Sequence, residues 1–191
     1  MILVLTGPVH SGKTSLLKNL VKELKRRGVR ADGFLSLVAL KKGETARYDL
    51  FDLKTEKAIP FLRKTGKKTW SKIGPYFIIP RALNRAKQKI LGCDRKNFLI
   101  VDEVGPLEIR GEGLWPALSL ALKKPSLGLL LVARHSVLPD VLALIGPNRV
   151  SIVDINQNRS LSSLLRTIID WTRNSRETRE RTQKEAPRPC T

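Results

Sequence analysis

The amino-acid sequence predicts an α/β fold: a mostly parallel sheet covered by helices on both faces, three layers in all, with an inserted β-hairpin. Three observations predict it. The runs 2–6, 98–101 and 127–133 are apolar without alternation, as strands buried on both faces are. Stretches with apolar residues three and four apart lie between such runs, as amphipathic helices require. Two β-prone runs, 34–40 and 46–53, flank the polar turn Lys41-Lys42-Gly43-Glu44 and read as a hairpin.

The first strand, 2–6, ends at Gly7-Pro8. From Lys13 a helix follows in which Leu16, Leu17, Leu20, Val21 and Leu24 share one face and basic residues fill the other, up to Gly28. After the hairpin, Tyr76-Phe77-Ile78-Ile79 reads as extended and closes at Pro80, residues 81–91 have helical spacing, and Gly92 is suited to cap that helix. The strand 98–101 runs into Asp102-Glu103. A helix over 114–123 leads to the strand 127–133, and a last strand, 150–153, precedes a helix from Leu161 to about Trp171. One domain therefore spans 1–172. Residues 173–191, almost without apolar side chains and carrying Pro187 and Pro189, are expected to form a mobile basic tail.

At 191 residues the chain is long enough to bury a sizeable core. No apolar run approaches the roughly 20 residues of a bilayer span, so no membrane partner is expected. Met1 leads straight into the first strand without a basic leader, and a cytoplasmic location is expected. Cys93 and Cys190 are far apart, and His10 and His135 are the only histidines, which gives neither a disulfide framework nor a zinc site. Cys93 is expected to be a buried, inert thiol. The charge is unusual: 36 Lys and Arg against 17 Asp and Glu give +19. Between Pro60 and Asn97 eleven basic residues face a single acid, Asp94. Such a field attracts anions; nucleotide phosphates answer part of it, and RNA or DNA is a candidate for the rest.

The chemistry is carried by the loop Gly7-Pro8-Val9-His10-Ser11-Gly12-Lys13-Thr14-Ser15. Gly7, Gly12, Lys13 and Thr14 satisfy G-x-x-x-x-G-K-[ST], after a buried strand and at the start of a helix. Backbone N–H groups there wrap a phosphate at the positive helix end, Lys13 reaches the β and γ oxygens, and the Thr14 hydroxyl ligates Mg2+. A further metal oxygen is needed at the end of a buried strand, and Asp102 is placed to supply it. Glu103, the next residue, is placed to orient and deprotonate a water in line with the γ-phosphate. Arg134, just after the run 127–133, is the candidate for neutralising the transferring group, and Arg159 is a candidate for contacting base or phosphates.

With Gly7 to Thr14, "FLIVDEVGPLE" at 98–108, "GPY" at 74–76 and "NR" at 158–159 in this order, the chain resembles the small P-loop nucleoside-triphosphatases, a family that includes the animal cancer-related nucleoside-triphosphatase and archaeal and bacterial relatives. The likeness covers nearly all of residues 1–172. It implies a RecA-like core and Mg2+-dependent hydrolysis of ATP, GTP and other nucleoside triphosphates with broad base tolerance. By matching motif it also implies that Gly7, Gly12, Lys13 and Thr14 form the phosphate and metal loop, that Asp102 and Glu103 are metal acid and water activator, and that Asn158 and Arg159 form a late motif. The chain departs from the family at His10, where relatives commonly have glycine, at Tyr48-Asp49, where a Gly-Phe pair is typical, and at Arg134.

Two other functions stay open at this level. A kinase is motivated by the basic stretch 63–72, which would close over phosphates while a hydroxyl-bearing acceptor enters; an activating Glu beside the metal acid argues against it. A nucleic-acid-dependent ATPase or binding module is motivated by the charge. Aromatic residues make up only 5%, which argues against base stacking, and Trp70 and Tyr76 are the nominees for it.

Overall fold

The computed structural model describes residues 1–41, 43–124, 128–146, 150–157 and 161–185. In chain order the elements are β1 (Ile2–Gly7), α1 (Lys13–Arg26), β2 (Ala31–Lys41), β3 (Glu44–Asp52), β4 (Lys57–Arg63), β5 (Lys72–Ile73), β6 (Tyr76–Ile78), α2 (Pro80–Leu91), β7 (Phe98–Val101), α3 (Pro106–Ile109), α4 (Trp115–Leu122), β8 (Gly128–Arg134), α5 (Leu138–Ile145), β9 (Val150–Asp154) and α6 (Leu161–Glu185). A single nine-stranded sheet runs in the order β5-β6-β4-β3-β2-β7-β8-β1-β9. From β2 to β9 neighbouring strands are parallel; from β2 outward the other way they are antiparallel.

The parallel half is built by apolar strands that feed both layers. Val4, Leu99, Val101, Leu129 and Leu131 face a core closed by α2, α4 and α5. Their neighbours Leu3, Leu5, Phe98, Ile100, Leu130 and Val132 face the opposite core, closed by α1 and α6. A strand that must satisfy two cores cannot alternate polar and apolar residues, which is why these runs are continuous. Each fully buried Leu or Ile contributes about 1.5–3 kcal/mol relative to exposure. The helices start and stop as their ends dictate: Pro80 occupies the first turn of α2, the Gly92 N–H donates to the Gln88 carbonyl, and Gly28, at φ 70, ends the turn after α1.

The expected hairpin is present, and it is the inner part of a larger antiparallel wing. The unexpected strand β4 carries Pro60, which argues against a strand interior. Its pairing with β3 shifts register between Tyr48 and Asp49, and Pro60 lies opposite Asp49 at that irregularity, so the missing N–H falls where the ladder is already broken. At the seam, Gly33 of β2 (φ 105) pairs with Ile100 of β7, and a Cβ there would stand 2.0 Å from the Ile100 carbonyl oxygen. Only glycine lets the two backbones come this close.

Three further differences concern helices. The one-turn α3 and the two-turn α5 were not anticipated, being too short to show periodicity. The helix expected to end at about Trp171 continues as α6 to Glu185, so the first part of the tail expected from Arg173 is helical. Residues 173–185 contain neither glycine nor proline and are rich in Arg, Glu, Gln and Lys, which hold a helix without an apolar face. Cys93 is a buried free thiol, its pKa pushed up to about 12 chiefly by burial; Cys190 lies outside the described residues.

Candidate active site

The site lies at the carboxyl edge of the parallel strands. Gly7, at the end of β1, is in register with Arg134, at the end of β8, and β7 delivers Asp102 and Glu103 immediately beyond Val101. Side chains 88 and 31 residues apart are thereby brought into contact: the Thr14 hydroxyl donates to Asp102 Oδ2 at 3.4 Å and Arg134 Nε to Glu103 Oε1 at 2.6 Å. A pocket of about 320 Å³ opens here, lined by Val9 through Ser15 together with Asp102, Glu103 and Arg134. All the loop residues singled out from the sequence are therefore gathered at one place, with Gly7 and Pro8 at its root. Arg159 and Asn158 lie outside the described residues.

The loop holds two left-handed positions. Gly12, at φ 86, turns the chain into α1, whose first turn has no acidic side chain to compete with an anion. His10, at φ 62, is the second, with its side chain exposed. That backbone region costs an L-residue about 1–2 kcal/mol and glycine almost nothing. The imidazole thus departs from glycine at a position where the backbone itself calls for glycine.

Lys13 is folded onto its own loop. Its Nζ donates to the carbonyls of Gly7 at 2.9 Å and Pro8 at 2.6 Å and to Ser11 Oγ at 3.4 Å. Burial lowers its pKa, with Glu103 and Asp102 opposing that shift. The ammonium is pre-positioned at the mouth of the loop, beside the two carboxylates.

Asp102 is 3% exposed. Its Oδ2 also accepts from the Ser36 backbone N–H at 3.2 Å. Burial, and then the neighbouring Glu103, push its pKa up to about 7, while the Ser36 and Thr14 hydrogen bonds pull the other way. A cation beside it would relieve that strain on the charged form. Thr14 and Asp102 offer a hard hydroxyl and carboxylate oxygen close together, the donor set that suits Mg2+, which takes few protein ligands and fills its shell with phosphate and water oxygens. No cluster of three or more His, Cys, Asp or Glu exists among the described residues.

Some contributors were missed. Ser36, Leu37 and Val38 of β2, Tyr48 of β3 and Lys18 of α1 also line the pocket. The lone serine in the apolar run "FLSLVAL" was the available signal for Ser36. Tyr48 stood out only as a departure from the family's Gly-Phe pair; sheet register, not local spacing, brings it here. Tyr76, nominated for stacking on bases, packs edge-on against Tyr48, with ring centroids 5.3 Å apart. The basic stretch is partly neutralised: Lys89 and Arg85 pair with buried Asp52 at 2.9 and 3.3 Å, and Lys64 pairs with Glu44 at 3.7 Å.

Residues 2–169 match the model of a protein family described as NTPase. The chain belongs to that family of nucleoside-triphosphatases. Among curated relatives it is 32% identical over 127 residues to the nucleoside-triphosphatase THEP1 of Metallosphaera sedula, covering 64% of this chain and 67% of that protein. It is 26% identical over 148 residues to the THEP1 of Hyperthermus butylicus, covering 77% and 79%. The fold is similar to the solution structure of a human cancer-related nucleoside triphosphatase (TM-score 0.69, 20% identity, 88% of this chain and 95% of that one). It is also similar to the crystal structure of THEP1 from Aquifex aeolicus (TM-score 0.61, 20% identity, 87% and 98%). These likenesses agree with the α/β core of a P-loop NTPase. No helix among the described residues is long and apolar enough to cross a membrane.

Proposed function

We propose that residues 1–172 form a Mg2+-dependent phosphohydrolase that converts ATP, GTP and other nucleoside 5'-triphosphates to the diphosphate and phosphate. The observation that carries this reading is the convergence of the phosphate loop with the Asp102-Glu103 pair: Thr14 touches Asp102, and Glu103 lines the same pocket. The backbone of Gly7 to Ser15 cradles the phosphates, and Lys13 exchanges its carbonyl partners for β and γ oxygens. Thr14 and Asp102 hold Mg2+, which, when bound, neutralises phosphate charge. Glu103 accepts the proton of the attacking water. Arg134 holds Glu103 in orientation and lends positive charge at the γ-phosphate. The free thiol of Cys93 fits the reducing cytoplasm, where we place the protein.

Phosphate release from a panel of nucleoside triphosphates, with Mg2+ and with chelator, tests the reading. Lys13→Ala is expected to lower turnover by about 10²–10³-fold, the loss typical of removing a transition-state donor. Metal-independent turnover, or a Lys13→Ala enzyme as active as wild type, contradicts it. Carrying out the panel with and without RNA settles whether the basic surface has a part in turnover. Stimulation that survives about 0.15 M salt would add a polyanion partner.

A further inference from the structure

A second cavity, of about 370 Å³, lies behind the Glu103–Arg134 pair. The antiparallel wing, α2 and the segment 105–114 wall it, with Phe61, Ile73, Ile78, Leu83, Leu107 and Leu114 in its lining. Ser36, Tyr48, Glu103 and Arg134 line this cavity and the nucleotide pocket alike. The two spaces therefore meet at the carboxylate that activates the nucleophile.

Hydrolysis has no use for such a volume, because a water occupies only about 30 Å³. Small-molecule sites begin at roughly 300 Å³ and are walled mainly by apolar side chains with few polar groups. The polar groups here are unevenly placed. Glu108, 4% exposed, already has both oxygens engaged, by the Gly105 N–H at 2.9 Å and the Leu114 N–H at 2.9 Å. The side chains able to meet a ligand hydroxyl are those at the shared boundary and Tyr76, whose own hydroxyl donates to the Thr45 carbonyl at 3.5 Å. A molecule with an apolar body and a single hydroxyl fits this pattern. A nucleoside does not, since its base edges would lie against apolar walls without partners.

We propose that this cavity is an acceptor site, taking a compact, uncharged alcohol with an apolar, ring-sized body, whose hydroxyl replaces water in attack on the γ-phosphate. The proposal rests on the nucleotide reading above. Glu103 takes the hydroxyl proton and later releases it to solvent. The acceptor oxygen–Pγ bond forms as the bond from Pγ to the β,γ-bridging oxygen breaks, and the electron pair of the broken bond leaves with the nucleoside diphosphate. The products are a phosphate monoester and the diphosphate. A filled cavity also displaces water from beside Glu103, so transfer and hydrolysis compete.

The test incubates the full chain with Mg2+, ATP labelled at the γ-phosphate and either benzyl alcohol or cyclohexylmethanol, and measures both phosphate monoester and free phosphate. The expected result is labelled ester with a matching fall in free phosphate. Leu83→Trp, which fills the cavity without touching the phosphate loop, is expected to cut ester yield by about tenfold or more while free-phosphate release without alcohol stays within about twofold. Ile73→Phe, from the β5 part of the lining, serves the same purpose should Leu83→Trp fail to fold. No ester from either alcohol, with phosphate release intact, overturns the acceptor site and leaves the hydrolase reading standing. Ester formed equally by both cavity-filled variants overturns it too. Absence of phosphate release from the wild type strikes the nucleotide reading itself, and the acceptor site with it.

Discussion

The two halves of the sheet do different work, although β2 belongs to both. In the parallel half, Phe98 to Val101 are all buried, and the strand ends deliver Gly7, Asp102 and Arg134 to one edge. In the antiparallel wing, β3 buries only Leu50 and Asp52, and Val38 and Leu40 of β2 are exposed large apolar residues. On the proposed reading the parallel half holds the phosphate chemistry, because strands clamped between two cores cannot shift. The wing supplies Tyr48 and the apolar wall of the second cavity, and so shapes what else reaches that chemistry.

The largest effect is expected at the seam between the halves. Gly33→Ala sets a Cβ against the Ile100 carbonyl at a positive φ and is expected to cost about 3 kcal/mol, the range of severe backbone and packing lesions. Urea denaturation measures it; a loss below about 0.5 kcal/mol would mean that β2 and β7 separate easily.

The next largest effect is expected at Asp102. Its folded-state pKa, about 7, lies above the ordinary carboxylate value of 3.8, so between these pH values the native state holds a proton that the unfolded chain has released. Stability of the ligand-free protein therefore falls as pH rises from about 4 to 7, and the full cost of the buried charge is present above that window. Asp102→Asn removes the titration. Its melting temperature at pH 8 is expected to exceed that of wild type by on the order of a few degrees, with the gap closing towards pH 4. A gap that widens on acidification contradicts the assignment.

The smallest effect is expected at His10. His10→Gly relieves a left-handed backbone and is expected to leave nucleotide affinity and turnover within about twofold, with stability changed by no more than about 1 kcal/mol. A large loss of turnover would make the imidazole part of the site.

What the sequence showed divides along the same seam. The phosphate loop was legible because strand, loop and helix are contiguous, and Asp102-Glu103 because the strand before them is continuously apolar. Arg134 was legible through its place after another such run. Ser36 and Tyr48 were not, because register across β2, β3 and β7, rather than spacing along the chain, carries them to the site. Pro60 disguised β4 by the rule that usually holds, and the bulge that excuses it is a tertiary fact. The helix α6 runs past its expected end at about Trp171 because helix propensity carries it where apolar spacing has run out.

The central claim is that Glu103, not the phosphate loop, turns bound nucleoside triphosphate into a hydrolysed one. Glu103→Gln keeps the shape of the side chain and removes its basicity. Single-turnover phosphate release with Mg2+ and ATP, measured alongside ATP affinity, tests it most directly. A loss of about 10²–10⁴-fold in rate with affinity held within a few-fold is predicted. Unchanged release would contradict the account.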